Sequence, residues 1–81
     1  MAWRGGIIET REAHLRAVLA ECARDWHLVI RDYLVCLEAA QRADDLRATR
    51  FFASKLVTAY SAIGLDEKAL RYSELAALAR R

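Results

Sequence analysis

His14, His27, Cys22 and Cys36 are the side chains of this 81-residue chain that could ligate a metal ion or act as a nucleophile or base. Their spacing supports neither chemistry. On a helix His14 and Cys22 share a side but stand two turns apart, too far to ligate one ion. The sequence has no HExxH, CxxC or glycine-rich phosphate loop, and Gly5 and Gly6 lie at a terminus with no strand before them. Cys36 sits within an apolar run, which lacks the electropositive, partly exposed setting that makes a thiol reactive. His27, beside Trp26, reads as a surface or boundary histidine. The expectation is a non-enzymatic chain with no catalytic residue, no cofactor and no metal site.

Charge points the same way. Thirteen basic and 11 acidic residues give a net charge of +2 and are mixed along the whole chain, as on a solvated surface. A nucleic-acid binder concentrates positive charge on one stripe. Arg42, Arg47 and Arg50 come nearest to that, with Asp44 and Asp45 among them, so a nucleic-acid-associated regulator is the least favoured reading. The most apolar stretch, WHLVIRDYLVCLEAA, is interrupted by Arg31 and Asp32 and is too short to span a bilayer. The segment MAWRGGIIETREA lacks the pattern of a secretory signal. A cytoplasmic location is expected, with Cys22 and Cys36 as reduced core residues. On one continuous helix they would stand about 21 Å apart, beyond disulfide reach, although two copies paired along that helix could crosslink on oxidation.

The elements that must position any site are helical. The chain is 56% hydrophobic and 30% charged, with no proline, which suits a single helical domain preceded by a flexible stretch over 1–7. Phe52, Leu56, Ala59, Tyr60 and Ile63 fall on one side of a helix, with Arg47, Ser54, Thr58 and Ser61 opposite. Gly64 follows as a left-handed stop, and Leu65 can fold back on the last turn. Asp66 is positioned to cap a new helix starting near Glu67. In it Ala69, Tyr72, Leu75, Ala76 and Ala79 recur at steps of three and four, with small residues allowing close approach.

Leu56, Tyr60, Gly64, Ala69 and Ala76 sit at relative spacings that resemble a tetratricopeptide repeat, over about residues 46–79. Ala53 and Val57 depart from the family pattern, and no proline closes the unit. Upstream, Tyr33, Cys36 and Ala40 precede Tyr72, Leu75 and Ala79 by 39 residues, as in a partial preceding unit. The resemblance implies a protein-binding groove lined by Phe51, Ser54, Lys55, Thr58 and Ala62. Phe51 has two open placements: an exposed anchor, or packing beneath the N-terminal helix.

The first half carries a heptad-like seam, Ile8, Leu15, Leu19, Cys22, Trp26, Val29, Tyr33, Cys36 and Ala40. With no glycine or proline from Ile7 to Ile63, local signals favour one helix over about 9–43. A break near Arg24 and Asp25, with Asp25 as cap, is the alternative that a preceding repeat unit requires. The fold class expected is all-α, a small antiparallel bundle or set of hairpins with three or four helices: 9–43 whole or broken near 24–25, then 45–63 and 67–80. A chain this short needs partners to hide its faces. The leading expectation is therefore a small helical adaptor, chaperone or regulatory subunit that binds another protein without turnover. The alternative is a self-assembling module, a dimer joined through Leu15, Leu19, Cys22, Trp26, Val29 and Tyr33.

Overall fold

A computed structural model describes the backbone of residues 2–79 and the side chains of residues 10–79. Four helices follow one another: α1 (Ala2–Cys22), α2 (Trp26–Arg42), α3 (Leu46–Ala62) and α4 (Asp66–Leu78). Each packs antiparallel against its chain neighbour. The unbroken helix over 9–43 does not form. The chain turns at Ala23–Asp25, the alternative placement, and Asp25 caps α2 by accepting from the Leu28 amide at 3.4 Å.

All three turns are built alike. Arg24, Asp44 and Gly64 take left-handed backbones, with φ of 57°, 56° and 79°. At each, the next amide reaches back to a carbonyl in the last turn: Asp25 to Ala20 at 2.9 Å, Asp45 to Ala40 at 3.0 Å and Leu65 to Tyr60 at 2.9 Å. A second bond accompanies each, from Arg24 to Glu21, Asp44 to Gln41 and Gly64 to Ser61, all at 3.1 Å. This is the Schellman arrangement, which satisfies the orphan carbonyls of a helix end. Arg24 has a Cβ in a conformation that disfavours one by about 1 kcal/mol. Arg24→Gly is therefore expected to raise stability by about 0.5–1 kcal/mol in a urea melt. Unchanged or reduced stability would mean that the arginine side chain contributes more than its backbone costs.

The left-handed residues recur every 20 positions, so alternate helices correspond at an offset of 40. The offset of 39 is one residue short. Val29 and Cys36 of α2 correspond to Ala69 and Ala76 of α4, and all four are buried. Asp66 also departs from its expected role. It opens α4 without a side-chain cap bond, and Leu65 is the N-cap residue. Asp66 and Glu67 act through their charge near the positive end of the helix.

The helices form two layers in a slab 39 × 32 × 15 Å. His14 of α1 meets Phe51 and Phe52 of α3, placing these helices in one layer. Leu34 and Leu37 of α2 share an open groove with Tyr72 and Leu75 of α4 in the other. The core between the layers holds Val29, Tyr33, Cys36, Phe52, Leu56 and Tyr60. The expected core faces of α3 and α4 form: Phe52, Leu56, Ala59 and Tyr60 are buried, as are Ala69, Ala76 and Ala79, with Ile63, Tyr72 and Leu75 packed at the margin.

Over residues 10–22 of α1 the usual amphipathic rule is inverted. Ala13, Ala17 and Ala20 face the core, while Leu15 and Leu19 are 62% and 61% exposed, with Val18 beside them. Tyr33 and Phe52 already fill the space beneath this helix, so alanines let it approach where leucines would not fit.

Candidate protein-binding face

Glu21 ties three helices together. Its carboxylate accepts from the Tyr33 hydroxyl of α2 at 3.3 Å and from Lys55 Nζ of α3 at 3.2 and 3.4 Å. Lys55 Nζ also stands 5.6 Å from the centre of the Phe51 ring, within cation–π range. His14 meets Phe52 and Phe51 edge-on, at 5.3 and 6.0 Å, and lies 5.9 Å from Tyr33. The result is a braced aromatic and ionic cluster on the α1–α3 boundary. Burial, and then the charge of Glu21, pushes the Tyr33 hydroxyl up to about 12. Burial followed by the charge of Asp32 pushes the Cys36 thiol up to about 11. Both groups stay protonated at neutral pH and act as packing residues, as the apolar setting of Cys36 leads one to expect.

The contacts of His14 and Glu21 mark the side of α1 that meets α3. Turning from that contact away from α2, each helix presents a solvent stripe at steps of four, three and four. On α1 it is Arg11, Leu15, Val18 and Cys22, and on α3 it is Arg47, Phe51, Ser54 and Thr58. All but Cys22 and Arg47 carry exposed side chains in the middle of their helices, and those two are exposed at the helix ends. Because chain neighbours are antiparallel, α1 and α3 run the same way, and the two stripes face the same side of the slab, the helices being joined there by side chains such as Glu21 and Lys55.

The expected groove residues fall on or beside this surface. Phe51 is 46% exposed, so its two open placements are both partly realised: one part of the ring packs under His14 and the remainder faces solvent. Ser54, Thr58 and Ala62 are exposed, and Lys55 is half-buried against Glu21. The hydroxyls of Ser54 and Thr58 donate within their own helix, to the carbonyls of Arg50 at 2.9 Å and Ser54 at 3.4 Å.

The heptad-like seam divides. Leu15, Leu19 and Cys22 are exposed, Trp26 is half-buried, and Val29 and Tyr33 are buried in the core of the single chain. The side chain of Ile8 lies outside the described residues. The turn at Ala23–Asp25 causes this division, because it swings α2 across the inner side of α1. Cys22 is thus a surface thiol and not a core residue, on a different helix from the buried Cys36. His27 is exposed.

Asp32 is the residue whose role the sequence conceals. It interrupts an apolar run, which reads as a solvent position, yet it is 2% exposed. Arg16 and Arg31 approach its Oδ1 at 3.4 and 3.5 Å, and its Oδ2 is buried with no hydrogen-bond partner. The three arginines considered for phosphate contact also separate. Arg42 pairs with Glu38 at 2.9 Å, whereas Arg47 and Arg50 belong to α3 and make no ion pair among the described residues.

Among the described residues no group of three or more His, Cys, Asp or Glu side chains could hold a metal ion, and no helix is long and apolar enough to cross a membrane. No family model, curated protein or solved structure matches this chain.

Proposed function

We propose that this chain is a non-enzymatic protein-binding module, a small cytoplasmic adaptor, chaperone or regulatory subunit that holds a protein segment on the surface shared by α1 and α3. The observation that carries this reading is Phe51, a large aromatic left half in solvent while its inner part is braced by Lys55 and His14. A rigid, partly exposed aromatic flanked by apolar side chains is the usual anchor of a protein contact. The tetratricopeptide-like spacing of Leu56, Tyr60, Gly64, Ala69 and Ala76 supports it, since hairpins of that kind present one helix of each pair to a ligand.

The test is affinity capture from the native host with the full chain and with Phe51→Ala. A protein that co-purifies with the parent chain is expected to be lost with the variant, whose thermal melt stays close to that of the parent. Equal capture by both rejects this surface. Lys55→Glu is the poorer probe, because it sets a second carboxylate against Glu21 and disturbs the fold as well as the surface.

Self-assembly is the second reading, favoured by the inverted α1. Leu15, Val18 and Leu19 form an apolar outer strip with Cys22 in line, and an exposed strip of that kind invites association. A mass that rises with concentration in light scattering is expected on this reading. A monomer throughout rejects it.

A further inference from the structure

We infer that the segment received on the α1–α3 surface is an amphipathic helix with an acidic flank. This rests on the protein-binding reading above and adds the chemistry of the partner. The argument is charge. Over Leu46–Ala62, α3 carries Arg47, Arg50 and Lys55 and no carboxylate. The neighbouring helices mix signs, with Arg31, Asp32, Glu38 and Arg42 on α2 and Asp66, Glu67, Lys68, Arg71 and Glu74 on α4. Glu21 neutralises Lys55, but Arg47, Arg50 and Arg11 have no ion-pair partner among the described residues.

Acidic groups lie close in sequence without meeting this need. The Asp45 carboxylate accepts from the Ala48 amide at 3.0 Å as the α3 cap, while Asp44 occupies the turn and Glu12 is exposed beside Arg11. Arg47 stands in the first turn of α3, which holds no acidic residue of its own, the Asp45 carboxylate being engaged as the cap. A partner carboxylate there would meet the unpaired guanidinium.

Leu15 and Val18 on one stripe and Phe51 on the other supply the apolar contact beside Arg11 and Arg47, which head the two stripes. A polyanionic phosphate backbone would have no use for them. An amphipathic helix with apolar residues at steps of three and four, bordered by Asp or Glu, satisfies both.

The experiment is selection of a random 16-residue peptide display library on the full chain, followed by affinity measurement with a synthesised winner. Enriched peptides are expected to carry net negative charge and apolar residues at helical spacing. Binding should weaken as salt rises, and fall at least about tenfold for the Arg11→Glu/Arg47→Glu double variant. Neutral or basic winners that still require Phe51 would overturn the acidic assignment and leave the binding surface standing. Absence of enrichment, or winners indifferent to Phe51→Ala, would overturn both. A labelled 20-nucleotide duplex bound more tightly than any winner, and released by the same double reversal, would assign the arginines to nucleic acid instead.

Discussion

Tyr33→Ala is expected to lower the unfolding free energy by about 3–5 kcal/mol, enough to unfold much of a domain this small at room temperature. Tyr33 is 0% exposed and touches both layers. Its ring lies 5.9 Å from His14 of α1 and 5.9 Å from Phe52 of α3, so truncation opens a cavity that three helices line. Alanines already occupy the α1 side of that space. Tyr33→Phe separates ring from hydroxyl: it removes the 3.3 Å bond to Glu21, and a loss of about 0.5–1.5 kcal/mol is expected. A urea melt monitored by circular dichroism measures both. A loss below about 1 kcal/mol for the alanine variant would contradict the placement of this ring.

The same residue makes an alkaline prediction. The folded Tyr33 hydroxyl titrates near 12 against an ordinary value of 10.0, and the folded Cys36 thiol near 11 against 9.0. A raised pKa means that the folded state holds its proton more tightly than the unfolded state. The associated stability is fully present below the unfolded values and is lost as pH climbs from about 9 to about 12. Burial of Tyr60 acts in the same direction. Tyr33→Phe should therefore shift the alkaline unfolding midpoint upward even though it lowers stability at neutral pH.

Leu56→Ala is expected to cost about 2–5 kcal/mol, and the identical deletion at Leu19 almost nothing. Leu56 is 0% exposed in the middle of α3, a helix that packs on both α2 and α4 and meets side chains of α1. Leu15 and Leu19 have the same composition and a helical position as regular as that of Leu56, but they face solvent. Their alanine variants should stay within about 0.5 kcal/mol of the parent at low protein concentration. A larger cost that grows with concentration would show that a second copy covers the outer face of α1. The comparison thus measures the inverted amphipathicity of that helix directly.

The C-terminal hairpin is legible in the sequence because each of its signals acts locally. Phe52, Leu56, Ala59 and Tyr60 mark a core face by spacing within one helix, and Gly64 is the one residue near the turn that takes positive φ without strain. The candidate surface is legible in part. Phe51 must diverge from Phe52 by about 100° on any helix, which leaves exposure and packing beneath α1 both open, and the brace from Lys55, Glu21 and His14 joins residues distant in sequence. Asp32 misleads for a related reason: a charge within an apolar run signals solvent unless cations from elsewhere, here Arg16, come to meet it.

Residue types and periodicity alone thus specify an all-α chain, the core faces of α3 and α4, and the stop between them. Packing decided the turn at Arg24 and the orientation of α1. An arginine in the left-handed region and leucines facing water are both unfavourable choices within their own segment. They persist because folding α1 back brings Ala13, Ala17 and Ala20 close against Tyr33 and Phe52. The dispersion attraction of that close packing outweighs about 1 kcal/mol of backbone strain.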